Sequence, residues 1–285
     1  MMKTSTEIWS TAKHVGELKA VELLGKAGFD AWDFSMFEMA RWDWANQKIS
    51  DAPHILKTAE CHKFAKELKN IGEAYGMVCN QSHAPFPSDR MPLDTLKRAL
   101  ELTAEAGGTI CIIHPDNNAT LEGNVEFYQK LLPFAKECGV KIATENMWCW
   151  DKEKDESSFA ACATCKSFCD HVDGVADPYL VACLDIGHAE MRGSGEGAPK
   201  MIRALGDRLQ ALHIHDNDRW HDSHQIPFSM QIDFAGVAAA LKDIGYSGYL
   251  TLEADQYLKT YNADNVFEGV KKLLESVKKI GEMME

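Results

Sequence analysis

Short apolar segments recur along this chain, and six of them end at a histidine, an aspartate or a glutamate. These six residues follow one another at intervals of about 30 to 40 positions, roughly the length of one strand-helix-strand unit. The stretches between them carry apolar residues three and four positions apart, which is typical of helices. The pattern predicts an α/β chain with an all-parallel sheet. The six residues are His83, His114, Glu145, Asp185, His215 and Glu253.

Eight strand-helix units fit along the chain, and no low-complexity segment or linker divides it. An eight-stranded (β/α)8 barrel takes about 250 residues, close to the length available. We therefore expect a single barrel domain spanning residues 1–285, in which the segment 35–51 forms a loop or a lid over a pocket. The predicted strands are 7–10, 29–34, 76–81, 109–113, 140–144, 179–184, 209–214 and 249–252.

The carboxyl ends of all strands in a parallel barrel meet at one rim, where active sites lie. Each strand-end residue alone could cap a helix or bond a rim group, but six in phase favour a shared site. The segment 212–225 is the richest, with four histidines and three aspartates. Imidazole and carboxylate groups are common ligands of divalent metals, so the pattern predicts a metal site at this rim. His213 is expected to point away from His215 and to be structural.

The charge of the chain indicates what kind of partner it binds. A formal net charge of −13 and a pI near 5.3 oppose binding to nucleic acid or to a membrane surface. Nine cysteines, an odd number, without a recognisable signal sequence indicate reduced thiols. We expect a cytoplasmic protein that acts on a small molecule and is compatible with a homo-oligomer.

Five motifs carry a resemblance to a known superfamily. They are IATENMW (142–148), LDIGHAEM (184–191), LHIHDND (212–218), DSHQIPF (222–228) and LTLEAD (250–255). In order and spacing they resemble the xylose-isomerase-like TIM barrels. That superfamily includes ketose 3-epimerases, other sugar isomerases, inosose dehydratases and the endonuclease IV class of abasic-site endonucleases. The resemblance covers essentially the whole chain.

The resemblance implies two layers of metal ligands. In the epimerases one divalent ion has four ligands, which fall here on Glu145, Asp185, His215 and Glu253. The same resemblance places His188 and Arg219 beside the substrate. In the endonucleases three zinc ions take further ligands, which would be His83, His114, His188, Asp222 and His224. We expect Mn²⁺ first, with Co²⁺, Mg²⁺ and Zn²⁺ as alternatives, and the extra residues would bind either metal or substrate.

The favoured function is sugar isomerisation or epimerisation by proton transfer next to a carbonyl, through a metal-stabilised enediolate. The resemblance assigns the acid and base roles to Glu145 and Glu253, while His188 would polarise a substrate oxygen. Trp9, Trp32, Phe37 and Trp148 are candidates for an apolar wall against which the sugar packs, and packing in the core is the alternative for each of them.

Three other functions are weighed against this one. A lyase or dehydratase acting on an oxidised sugar, an inosose or a glycoside would use the same metal-stabilised intermediate. An abasic-site phosphodiesterase matches the larger ligand set, but the acidic charge opposes it. A non-catalytic sugar-binding protein would not need two carboxylates and a metal.

Overall fold

The computed structural model describes residues 2–285 as alternating strands and helices, with two hairpins. The strands are β1 (Lys3–Thr6), β2 (Ala31–Ser35), β3 (Trp42–Asp43), β4 (Lys48–Ile49), β5 (Val78–His83), β6 (Ile110–Ile112), β7 (Lys141–Glu145), β8 (Trp148–Asp151), β9 (Glu156–Phe159), β10 (Leu180–Asp185), β11 (Leu209–His213) and β12 (Tyr249–Leu252). The α-helices are α1 (Trp9–Val15), α2 (Glu17–Ala27), α3 (Cys61–Ala74), α4 (Leu93–Glu105), α5 (Leu121–Cys138), α6 (Cys165–Val175), α7 (Ile186–Glu190), α8 (Ala198–Leu205), α9 (Phe234–Asp243) and α10 (Val266–Met283).

Six strands form one curled parallel sheet in the order β11-β10-β7-β6-β5-β2. The strands β1 and β12 form a separate parallel pair. Single parallel bridges connect that pair to both edges of the larger sheet, between Glu7 and Asp33 and between Ile214 and Leu252. The predicted α/β architecture with a parallel sheet is therefore confirmed.

Alternate residues along the strands face two different environments. Ile142 and Ala182 belong to the large apolar core beneath the helices. Ala143, Cys183 and Ala211 point to the other side, where they belong to a second, smaller apolar cluster. Because side chains alternate with a period of two, this second face continues to the residues at the strand ends. Those residues are Glu145, Asp185 and His213.

The first strand lies earlier than predicted. Residues 3–6 form β1, whereas most of the predicted strand 7–10 leads into helix α1. The segment Lys3–Thr6 is polar because it faces a polar interior, where the Ser5 hydroxyl donates to Asn80 Oδ1 (2.6 Å). Glu7 instead accepts the Ser10 backbone N–H (2.9 Å), at the start of α1. Hydrophobicity alone therefore misplaced this strand.

Three further segments differ from the sequence predictions. The sequence pattern of residues 157–171 predicts one continuous helix, but this segment contains the end of β9. Helix α6 begins only at Cys165, where the Thr164 hydroxyl accepts the Ser167 N–H (3.1 Å). The segment 35–51 holds a 3-10 turn at Phe37–Met39 and the hairpin β3–β4. Strand β11 ends two residues before the predicted ligand His215. Among residues 2–285, no helix is both long and apolar enough to cross a membrane.

Candidate metal centre

Four strand ends bring acidic groups and an imidazole together. The register of β10 against β11 pairs Asp185 with His213, and β7 against β10 pairs Glu145 with Cys183. Glu253 directly follows β12, and its N–H donates to the Ile214 carbonyl (3.0 Å). The parallel arrangement thus places the ends of β7, β10, β11 and β12 side by side.

We call Glu145, Asp185, His213 and Glu253 the carboxylate set. One ligand atom from each of the four lies within 4.8 Å of the others. His213 Nδ1 lies 3.3 Å from Glu145 Oε1 and 3.4 Å from Glu253 Oε2. The prediction that His213 points away was wrong, because residues two apart on a strand point to the same side. His213, rather than the predicted His215, is the imidazole in this set.

His188, His215, Asp222 and His224 form a second group, which we call the histidine set. Asp222 Oδ2 lies 3.2 Å from His188 Nε2 and 3.1 Å from His224 Nε2. The rings of His215 and His224 stack with centroids 3.9 Å apart. His215 Nε2 also lies 3.1 Å from Asp185 Oδ1, so the two sets touch.

A third group forms around the other face of Glu145. His83 and His114 approach each other at 2.9 Å between their Nε2 atoms. His114 Nε2 lies 3.2 Å from Glu145 Oε2, and the His83 ring stacks on His213 at 5.5 Å. Every residue that the sequence predicted as a metal ligand therefore lies in one of three adjoining groups.

Arg219, the predicted substrate contact, lies elsewhere. Its Nη2 atom is 3.3 Å from Glu190 Oε2, and its side chain is 46% exposed. Its backbone N–H donates to Asn217 Oδ1 (2.8 Å). Arg219 does not line the cavity described below. Its contact with substrate stays a prediction.

The buried charge in these groups is suited to a divalent cation. Asp185 and Asp222 each have one buried carboxylate oxygen with no hydrogen-bond partner among the described residues. An uncompensated buried carboxylate oxygen is costly, and a bound cation would remove that cost. Carboxylate oxygen and imidazole nitrogen are donors that Mn²⁺, Co²⁺ and Zn²⁺ accept. The residues present therefore fit a divalent metal.

Comparison with known proteins identifies the family. Residues 21–280 match the sequence model of the xylose isomerase-like TIM barrel family. The chain belongs to this family. An uncharacterized protein of Methanocaldococcus jannaschii is 24% identical over 256 residues, which cover 82% of this chain and 78% of that protein.

Two solved structures show the same fold as this family member. One is a D-tagatose 3-epimerase-like protein, with a TM-score of 0.69 and 21% identity, covering 98% of this chain and 99% of the other. The second is the 3-keto-D-glucoside 4-epimerase of E. coli, with a TM-score of 0.70 and 15% identity, covering 98% and 100%. The resemblance stated from the sequence motifs is thereby confirmed at the level of family and fold.

Local contacts explain two of the motifs that carry the family resemblance. Asn146, next to Glu145, accepts the Asp185 N–H with Oδ1 (2.8 Å) and donates to the Asp185 carbonyl (2.9 Å). Asp185 Oδ1 accepts the His188 N–H (2.7 Å) at the start of α7. Gly187 has no room for a side chain, because a Cβ there would lie 1.9 Å from His215 Cε1. The motifs 142–148 and 184–191 therefore fix the donor groups in place.

Asp33 is a supporting residue that sequence reasoning missed. Its Oδ2 lies 3.4 Å from His213 Nε2 and accepts from Gln81 Nε2 (2.8 Å). The opposite nitrogen of His213 faces the carboxylate set. A carboxylate behind a ligating histidine fixes its orientation and raises its basicity. The signal available in the sequence was an acidic residue between two aromatic residues, Trp32 and Phe34, of the buried strand β2.

The donor groups influence one another's protonation. Burial raises the pKa of Glu253 to about 8. Burial also opposes ionisation of Glu145, yet His213 and His114 hold its pKa well below the usual range. For His188 burial favours the neutral form, but Asp185 and Asp222 raise its pKa to about 10. Protons on the imidazoles thus balance the carboxylates, and a metal bound by these imidazoles would displace those protons.

A cavity of about 660 Å³ opens above the donor groups. Trp148 lines it and donates its indole N–H to Asp222 Oδ2 (3.3 Å). Trp9 and Phe37 line it as well and contact each other edge to face at 5.3 Å. Trp32, a candidate for the same wall, takes the alternative of packing in the core. It is fully buried in the core beside Phe34 (5.6 Å between ring centroids).

Proposed function

We propose that this protein is a divalent-metal-dependent sugar isomerase or epimerase that moves a proton next to a carbonyl. The carrying observation is the carboxylate set, in which Glu145 and Glu253 approach the same nitrogen of His213 at 3.3 and 3.4 Å. Both glutamates and His188 also line the cavity, so a substrate can reach them. The D-tagatose 3-epimerase-like neighbour and the 3-keto-D-glucoside 4-epimerase support this class of reaction.

The residues of the carboxylate set would hold one ion, with Mn²⁺ as the first expectation. A divalent cation supplies positive charge for the oxygens of a sugar carbonyl and its neighbouring hydroxyl. Glu145 and Glu253 would remove the proton from the carbon and return it. His188 Nδ1 lies 2.9 Å from the Asn146 carbonyl, which fixes the ring so that it can hold a substrate oxygen.

The same proposal takes residues 1–285 as one domain in which eight parallel strands close into a full barrel. The two single bridges at the edges of the six-stranded sheet support closure. The substrate would be a small sugar or sugar derivative, bound by a protein that can form homo-oligomers. The nine cysteines are all unpaired, which supports a reducing, cytoplasmic location.

Elimination from an oxidised sugar or glycoside is the alternative on the same donors. It begins with the same proton removal and differs in the bond that breaks next. The three adjoining donor groups favour a further candidate, phosphodiester hydrolysis, which often uses two or three metal ions. The net charge of −13 opposes that candidate, because a DNA track needs clustered cations.

Two measurements test the proposal. Elemental analysis of the purified protein should find about one Mn, Co or Mg per chain, whereas about three Zn per chain would favour the hydrolase. Incubation with a panel of ketoses in D₂O should place deuterium on the carbon next to the carbonyl. Glu253→Gln should abolish that exchange. Glu105→Gln, which alters a glutamate paired with His62, is the matched control and should not.

If no ketose in a broad panel exchanges, the isomerase and epimerase assignments are both wrong. Exchange accompanied by loss of water or of an aglycone would assign the lyase instead. Survival of exchange in Glu253→Gln would contradict the acid and base roles given to the two glutamates.

A further inference from the structure

The cavity has a second zone, lined by residues that belong to none of the donor groups. We call it the outer zone, and it is formed by Arg41, Trp42, Trp44, Phe86, Arg90 and Asn118. Trp44 is 65% exposed and Phe86 is 40% exposed. Large aromatic side chains that stay in water beside a cavity indicate a surface that a ligand covers.

An aromatic wall connects the outer zone to the donor groups. The Phe86 ring lies 5.3 Å from the His114 ring and 5.2 Å from the Phe37 ring. The guanidinium of Arg90 lies 5.9 Å from the centroid of the Trp42 ring. A ligand that reaches the imidazoles can therefore continue along Phe86 into the outer zone.

The size of the cavity exceeds the needs of one monosaccharide. At about 660 Å³ it falls within the range of roughly 300 to 1,000 Å³ that accommodates drug-sized ligands. Pyranose rings present apolar C–H faces, which pack on aromatic rings, and hydroxyls, which pair with planar polar groups. The outer zone offers both kinds of surface, the indoles of Trp42 and Trp44 and the polar ends of Arg90 and Asn118.

The charges in the outer zone favour a neutral ligand over a phosphate. Arg41 Nη1 lies 3.5 Å from Glu38 Oε1, and Arg90 Nε lies 3.0 Å from Asp89 Oδ2. Asp89 and Asp255 also line the cavity. Each arginine is thus matched by a neighbouring acid, so its guanidinium serves as a hydrogen-bond donor without a net positive field.

We propose that the outer zone binds the second sugar ring of a disaccharide or glycoside whose reacting sugar lies against the donor groups. The inference rests on the proposed function in that the reacting sugar occupies the carboxylate end. It adds a class of substrate, namely sugars that carry a second, neutral ring. It also assigns to Trp44 the selection of such substrates.

Isothermal titration calorimetry on the metal-loaded protein tests this inference. The ligands are D-fructose and three disaccharides in which a second ring is attached to fructose at O4, O5 or O6 (lactulose, leucrose and isomaltulose). At least one disaccharide should bind about tenfold more tightly than D-fructose. Trp44→Ala should remove that gain and leave D-fructose binding unchanged.

Phe159→Ala is the matched control, because Phe159 is 62% exposed but lies outside the cavity lining. It should alter neither affinity, and circular dichroism should show both variants folded. Equal affinities for D-fructose and all three disaccharides, or a gain that survives Trp44→Ala, would overturn the outer-zone assignment. Absence of ketose binding altogether would instead overturn the proposed function, so the two failures are distinct.

Discussion

The substitution Asp33→Asn tests whether Asp33 acts on the metal centre through His213. The carboxylate is 1% exposed and lies behind His213, with Oδ2 3.4 Å from Nε2. Asparagine keeps the size and one carbonyl oxygen for Gln81, but it removes the negative charge. We therefore expect Asp33→Asn to fold normally and to bind metal more weakly.

The expected magnitude follows from the contact. A hydrogen bond to a charged group contributes about 1.5 to 3 kcal/mol, and a neutral one about 0.5 to 1.5 kcal/mol. The two ranges differ by about 1 to 1.5 kcal/mol, which corresponds to a metal affinity weaker by roughly fivefold to tenfold. A distance of 3.4 Å is long, so the lower end of the 10- to 100-fold range for partners of metal-binding histidines is expected.

Electron paramagnetic resonance of free Mn²⁺ gives the dissociation constant for each variant. A double-mutant cycle with His213→Ala isolates the coupling between the two residues. In the His213→Ala background, Asp33→Asn should have no further effect on metal affinity. Asp30→Asn is the control on the same segment, because Asp30 accepts the N–H and hydroxyl of Thr4 (both 2.8 Å). Its metal affinity should equal that of the wild type.

An unchanged dissociation constant in Asp33→Asn would refute the coupling. The same tenfold loss in the His213→Ala background would refute it as well, because Asp33 would then act by another route.

Three further predictions concern stability. Gly187→Ala should destabilise the metal-free protein by about 1 to 3 kcal/mol, because the added Cβ would overlap His215. The melting temperature should therefore fall, and an unchanged melting temperature would show that His215 moves freely. EDTA should lower the melting temperature of the wild type, because a metal ion present at 100 times its Kd stabilises the folded protein by about 2.7 kcal/mol. The decrease caused by EDTA should be smaller in His213→Ala. Burial raises the pKa of Glu7 to about 7, so the folded protein holds this proton more tightly than the unfolded chain. That stability is present below pH 4.5 and lost as the pH rises through about 7, by at most about 3 kcal/mol. In urea unfolding at several pH values, the free energy of unfolding should therefore fall less with rising pH for Glu7→Gln than for the wild type. An equal dependence on pH in the two proteins would contradict the pKa assigned to Glu7.

The positions of most donor residues could be predicted from the sequence. Glu145, Asp185 and Glu253 follow short apolar strands, and parallel strands necessarily gather their ends at one edge. The position of a residue at a strand end does not decide between His213 and His215, because residues two positions apart on a strand point to the same face of the sheet. It depends on the register of β11 against β10, which pairs His213 with Asp185.

Polar strands and aromatic residues were harder to predict. The segment Lys3–Thr6 lacks an apolar face because it faces a polar interior, where the Ser5 hydroxyl donates a hydrogen bond to Asn80. Hydrophobicity therefore gave no signal for β1. Trp32 and Trp148 look alike in sequence, yet one packs in the core and the other lines the cavity. Burial of an aromatic side chain depends on which side of its strand it occupies, and that is settled by tertiary packing.

The two hairpins bring aromatic side chains to the cavity from outside the parallel sheet. The hairpin β3–β4 inserts after β2 and brings Trp42 and Trp44 to the cavity, and β8–β9 inserts after β7 and brings Trp148. Each hairpin pairs only with itself in the part of the chain that the structure describes, so neither belongs to the parallel sheet. A change in the length or sequence of the hairpin β3–β4 would therefore reshape the outer zone while leaving the strands that carry the donor groups unchanged. The same change in β8–β9 would also remove the contact between Trp148 and Asp222.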